Sequence, residues 1–216
     1  MSDDAKTIGQ QGRWTQNQVG ATYTSHSGSG AARVAQTEQA GLELSRAGAR
    51  FYIGQSAAIT GIAPVQAMPT TAAQWVIWNT SLTKSLVFDM AGLYTTAGTA
   101  GVGSTVVAAI IQLPATSTTK FGITIASASG SAKTSDARVN SGVTVTSPAA
   151  PAWHIIARDG STNTALLNVM AYEQFLEGRL IVPPLRGLAL CAIAPTGTTP
   201  LYAPMASWAE LTLDLE

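Results

Sequence analysis

Charge is what this sequence has least of. Lys, Arg, Asp and Glu make up 11% of its 216 residues, where about a quarter is usual for soluble domains. The 12 basic and 12 acidic side chains cancel, so there is no field of one sign to draw nucleic acid or an anionic membrane surface. A single cysteine, Cys191, excludes an internal disulfide, and its place in the apolar run from Leu188 to Ile193 makes it a small core side chain. The two histidines, His26 and His154, do not pair with each other or with Cys191 at any metal-ligand spacing. No apolar run approaches the roughly 18 residues of a membrane span, and the polar start from Met1 to Gly12 has no leader-like apolar region.

The same scarcity governs catalysis, which needs a nucleophile, a tuned acid or base, or a metal within hydrogen-bond reach. His154, Cys191 and Asp159 are the components of a catalytic grouping, but no spacing selects them, and a locally bonded imidazole is the expected state of His154. There is no Gly-x-Ser-x-Gly elbow. The glycine-rich stretch from Gly98 to Gly103 lacks the Lys-Ser or Lys-Thr ending of a phosphate loop and precedes a strand, so it reads as a hairpin tip. Glu173 and Glu177 read as exposed acids flanking a turn rather than a glycosidase pair. The stretch from Arg158 to Asn163 has one acid, too few for calcium. Asn79, Thr80 and Ser81 match a glycosylation acceptor. Trp14, Trp75, Trp78, Trp153 and Trp208 are the raw material for a carbohydrate-stacking platform, although Trp75, Trp78 and Trp208 stand within apolar strands. The expectation is no catalytic residue, no metal and no cofactor.

What is present is a series of short apolar runs between clusters of Gly, Pro, Ser, Thr and Asn, the pattern of an all-β sandwich or barrel. About eight runs occur: 51–62, 74–79, 85–95, 105–113, 120–126, 142–146 with 153–157, 179–194, and 206–215. The segment 165–176 is readable as helix or strand, because Leu166, Met170 and Gln174 share a helical face while Ala165, Leu167, Val169 and Ala171 alternate. Residues 1–50 differ from the rest. They are polar, with five basic and four acidic side chains, and Gly41 and Gly48 interrupt any helical stripe. The expected organisation is an extended or partly helical arm over 1–50 and a β-sandwich over 51–216.

Some runs have one apolar face: Phe121, Ile123 and Ile125 alternate with smaller or polar residues, as do Leu211, Leu213 and Leu215. Others are apolar on both. A period of two sends Trp75 and Ile77 to one side and Val76 and Trp78 to the other, and the run from Val106 to Ile111 behaves alike. Between Phe51 and Thr119, Lys84 and Asp89 are the only charges in 69 residues. Such strands need two covers. The arm, a neighbouring subunit, or burial within the chain are the alternatives, with a subunit or partner interface at Trp75, Val76, Ile77, Trp78, Val106, Val107, Ile110 and Ile111 the favoured one.

Gly178, Arg179, Leu180, Ile181, Val182, Pro183 and Pro184 lead into an apolar strand ending near Ala194. A Thr-Gly-Thr-Thr-Pro turn and the closing segment Ala206, Ser207, Trp208, Ala209, Glu210 follow. This tail resembles the end of jelly-roll proteins of tailed-phage particles, the small decoration, cement and head-fibre proteins. It covers 178–216 closely and the earlier strands by pattern. The resemblance implies a jelly-roll domain, commonly trimeric, docked on the major capsid protein by an N-terminal arm and side loops, located on the virion and needing no leader. It carries no catalytic residues to transfer. Pro183 and Pro184 would guard a sheet edge. Two other roles fit a jelly roll of this size: the major capsid protein of a small virus, disfavoured by an arm summing to plus one where RNA must be neutralised, and a receptor- or carbohydrate-binding module.

Overall fold

A computed structural model describes residues 22–26, 32–36, 44–45, 47–55, 59–98, 104–112, 123–149, 151–158, 171–194 and 200–213. The chain divides into two compact units, Met1–Ala47 and Gly48–Glu216. In the first, β1 (Thr22–His26) and β2 (Ala32–Gln36) pair as an antiparallel hairpin.

The second unit is a β-sandwich of two five-stranded antiparallel sheets. Its strands are β3 (Arg50–Gln55), β4 (Ala72–Asn79), β5 (Ser85–Ala97), β6 (Thr105–Gln112), β7 (Ile123–Ser127), β8 (Ala137–Thr144), β9 (His154–Arg158), β10 (Ala171–Val182), β11 (Arg186–Ile193) and β12 (Leu201–Leu211). One sheet has the order β10-β5-β12-β3-β7 and the other β8-β4-β11-β6-β9. From β3 to β8 each successive strand lies in a sheet according to this order, so that β4, β6 and β8 share one sheet while β3, β5 and β7 share the other. Hydrophobic inner faces from both sheets meet between them, as a sandwich requires.

The eight apolar runs map onto these ten strands with informative differences. The run 179–194 is two strands in two sheets, because Pro183 and Pro184 supply no N–H donor and Leu185 adopts φ 55°, turning the chain from one sheet to the other. The prolines therefore sit in an inter-sheet turn rather than along a sheet edge. The expected strand at 142–146 belongs to β8, which starts at Ala137 and is separate from β9. The ambiguous segment resolves as strand over 171–176, paired with β5; residues 165–170 lie outside the described residues. The final strand is Leu201–Leu211, so Leu213 falls beyond its end and Leu215 outside the described residues.

The inter-sheet core gathers Phe51, Trp75, Ile77, Phe88, Leu188 and Trp208 among others. Trp75 also ties the sheets by donating its Nε1–H to the Tyr202 carbonyl across the sandwich at 2.8 Å. Phe88 and Trp208 pack with ring centroids 5.8 Å apart, within the range of favourable aromatic pairs.

A second core lies on the other face of the β8-β4-β11-β6-β9 sheet. It consists of Ala73, Val76, Trp78, Val107, Ile111, Val145, Ala189 and Cys191. Its cover follows from connectivity. β8 and β9 occupy opposite edges of this sheet, so residues 145–153 must pass from one edge to the other. Val145 and Trp153 of that connection pack on the core. The Val145 N–H bonds the Thr71 carbonyl at 2.5 Å and the Ser147 carbonyl accepts from Gln112 N–H at 2.9 Å. Gly187 makes room for the largest side chain: a Cβ there would lie 2.3 Å from Trp78 Cε3.

Candidate interaction surface

The eight residues expected at a subunit interface are placed as follows. Trp75, Ile77 and Val106 face the inter-sheet core, and Val76, Trp78, Val107 and Ile111 the second core. All seven are buried by the chain itself. Ile110 alone stays accessible, at 39%. The signal in the sequence was the need for two covers, and at those seven positions the chain supplies both. No periodicity announces that a connecting loop will cross a sheet face, so this cover was not legible in the sequence.

The exposed large apolar residues of the described set are Tyr52, Met68, Leu82, Ile110, Ile155 and Leu185. Three of them fall at one end of the sandwich. Arg186 pairs with Gln112, which places Leu185 beside the end of β6, and Ile110 pairs with Leu188 two residues further inward. Leu82 belongs to the loop joining β4 and β5, and Asn79 ties this loop to the β10–β11 turn. The Asn79 side chain is fully buried, and its Nδ2 donates to the carbonyls of Lys84 (2.8 Å), Val182 (3.1 Å) and Pro183 (3.0 Å). Two amide hydrogens serve three acceptors, so one is shared. This burial removes Asn79 as a glycosylation acceptor.

The loop is pinned further. Asn79 Oδ1 accepts from Ser81 N–H (3.1 Å), and Ser81 Oγ accepts from the N–H groups of Thr83 (3.3 Å) and Lys84 (3.1 Å). Thr80 Oγ1 donates to the Asp136 carbonyl. Lys84 Nζ lies 2.8 Å from Asp136 Oδ2 and 3.6 Å from Glu210 Oε2. Glu210 is buried, and its Oε1 accepts from Ser135 Oγ (2.5 Å) and Asp136 N–H (3.0 Å). The bond to Asp136 is the largest influence raising the Lys84 pKa above 10.5; the charges of Asp136 and Glu210 act in the same sense and desolvation opposes them. A buried carboxylate needs such partners, and here they lock two loops to the end of β12. Sequence reading passed over this cluster because Lys84 lies 52 positions before Asp136, and Asp136 lies 74 before Glu210.

The components of a catalytic grouping are not brought together. His154 pairs with Ala108, whose side chain faces the inter-sheet core, while Cys191 pairs with Val107 and faces the second core. The two are on opposite faces of one sheet, and Asp159 lies outside the described residues. Cys191 Sγ is enclosed, accepting from Gln74 N–H at 3.3 Å and donating to the Ala72 carbonyl at 3.4 Å, and burial pushes its pKa up to about 11. A protonated, enclosed thiol is a packing group. Among the described residues no group of three or more His, Cys, Asp or Glu side chains is placed to hold a metal.

Among the described residues the tryptophans do not form a stacking platform. Trp75, Trp78 and Trp208 are fully buried, Trp153 packs on the second core, and Trp14 lies outside the described residues. Glu173 and Glu177 fall on β10 rather than a helix. The stretch 99–103 and the stretch 159–163 lie outside the described residues, as does His26 in its side chain. No helix of the described residues is long and apolar enough to cross a membrane. Compared with protein-family models, curated proteins and solved structures, the chain has no significant match.

Proposed function

We propose that this chain is a structural protein of a virus particle, a jelly-roll-type sandwich that decorates or cements a phage capsid through contacts between folded surfaces and without catalysis. The observation that carries this reading is the shortage of charge, 11% of the sequence with a net of zero. A freely dispersed domain of this size keeps itself apart from its neighbours with abundant surface charge; a subunit held in an assembly has less need of it. Equal numbers of acidic and basic side chains also let copies approach without net repulsion.

The proposed partners are further copies of the chain, a homotrimer being favoured, and the major capsid protein or another virion protein. Neither nucleic acid nor membrane is a partner in this reading. Electron microscopy of the native material tests it. The protein is expected at regular positions on a particle lattice, and a protein found dispersed, bound to no particle, would remove the reading.

A further inference from the structure

We propose that the outer face of the β10-β5-β12-β3-β7 sheet docks against the same face of a second copy of this chain, with Tyr52 as the apolar anchor and Arg50 and Asp89 of one copy opposite Asp89 and Arg50 of the other. This inference rests on the reading of the chain as an assembly protein, and it names the surface through which copies meet.

The outer faces of the two sheets are treated differently. That of the β8-β4-β11-β6-β9 sheet has a core of its own beneath the 145–153 connection. On the other sheet the register puts Tyr52, Ser207 and Met90 in one row across β3, β12 and β5, and Arg50, Ala209 and Val87 in the next. Between these rows lies Phe51, Trp208 and Phe88, which belong to the inter-sheet core, so both rows point outward. Tyr52 is 44% exposed, and Val87, Met90 and Met205 are partly exposed. Among the described residues no separate buried cluster forms over this face. The small residues Ser207 and Ala209 of the central strand lie between larger ones on β3 and β5, which makes the face a shallow trough with Tyr52 standing at its side.

Charge and area identify the occupant. Strands β3, β5, β7 and β12 contain three charged residues, Arg50, Asp89 and Glu210. Glu210 is buried in the Lys84 cluster, which leaves Arg50 and Asp89, 2.9 Å apart and 32% and 34% exposed, as the charges of this face. A polyanion would meet the Asp89 carboxylate as a like charge. A second copy matches: under a two-fold rotation the order of the two charges reverses and each faces its opposite. The four strands have 6, 13, 5 and 11 residues. At about 3.3 Å per residue and about 4.8 Å per strand they present roughly 550 Å², or roughly 1,100 Å² over two copies, above the about 1,000 Å² that a specific contact needs. The same rotation seats each Tyr52 over the Ser207–Ala209 trough of the other copy, an aromatic anchor with ion pairs beside it. Such a contact pairs single chains or joins one trimer to the next.

Sedimentation velocity on the full chain over a concentration series tests this. The mass is expected to double with concentration, from one chain to two or from three to six. Tyr52→Asp should weaken that step at least about tenfold, whereas Leu82→Asp, at an exposed residue off this face, should leave it unchanged. Arg50→Glu and Asp89→Lys should each weaken the step, because each puts two like charges on the face, and an equimolar mixture of these two variants should regain it. Matching melting curves establish that the variants fold, with Tyr52→Ser in place of the aspartate variant should that one melt early. No doubling at any concentration, a step indifferent to Tyr52→Asp, or a mixture that does not regain it would each overturn the proposal. A chain that doubles through this face yet is absent from any particle lattice would remove the functional reading alone; a chain found in a lattice whose association ignores Tyr52 would remove this proposal alone.

Discussion

Gly187→Ala is the sharpest probe of the second core. The added Cβ would lie 2.3 Å from Trp78 Cε3, 2.6 Å from Cζ3 and 2.9 Å from Val76 Cγ1. Carbon atoms sit comfortably at roughly 3.5–4.0 Å, so the indole must retreat by about 1 Å or more. It has nowhere to go, being 1% exposed and enclosed by the 145–153 connection and the neighbouring strands. Overpacking of this kind costs about 2–3 kcal/mol. At about 2–4 °C per kcal/mol for a chain of this length, the melting temperature should fall by roughly 4–12 °C. Circular dichroism melts and denaturant titrations measure both quantities. The decisive comparison is with Trp78→Leu: once the indole is gone, Gly187→Ala should cost less than about 1 kcal/mol, a coupling expected only of residues in direct contact. A neutral Gly187→Ala, or an equal cost in both backgrounds, would refute the packing argument. A change of oligomeric state on Gly187→Ala would show instead that Trp78 meets a neighbouring copy.

Asn79→Ala should destabilise by on the order of 3 kcal/mol, because the carbonyls of Lys84, Val182 and Pro183 lose their shared donor in a buried setting; denaturant titration reads this, and a loss below about 1 kcal/mol would mean water replaces the amide. The raised Lys84 pKa gives a sign: its contribution is complete below pH 10.5 and is lost as pH rises through the higher folded-state value. Melting temperatures of wild type and Lys84→Met should therefore converge at strongly alkaline pH, and a gap that widens there would contradict the ion-pair account. The side chain is 43% exposed, so the difference should be small and shrink with salt. The Cys191 thiol, pushed up to about 11 and enclosed, should resist a thiol reagent at pH 8 and react once per chain in guanidinium; rapid reaction of the folded protein would show that the second core opens.

The sequence made the strands legible because apolar runs and turn residues alternate visibly, and β4, β5 and β6 fall where those runs do. It also made legible that Val76 and Trp78 face away from Trp75 and Ile77, since a period of two is a property of the extended chain. What covers them was not legible. That depends on β8 and β9 lying at opposite edges of one sheet, a fact of long-range order that leaves no local mark. The Pro183-Pro184 pair was visible as a break, but whether a break guards an edge or joins two sheets depends on where β11 pairs. Glu210, Lys84 and Asp136 carry no local mark of belonging together, because only the fold brings them into contact. Leu82 and Leu185 were passed over for a related reason: they are single apolar residues in loops, and only the fold places them at one end of the sandwich.

The proposed association of this charge-poor sandwich is read from its molar mass in solution. Size-exclusion chromatography with light scattering on the full chain tests it most directly, read as molar mass across a concentration series. A stable multiple of the 22.2 kDa chain mass is expected, with three chains favoured. A monomer at every concentration, with no affinity for any particle, would contradict it.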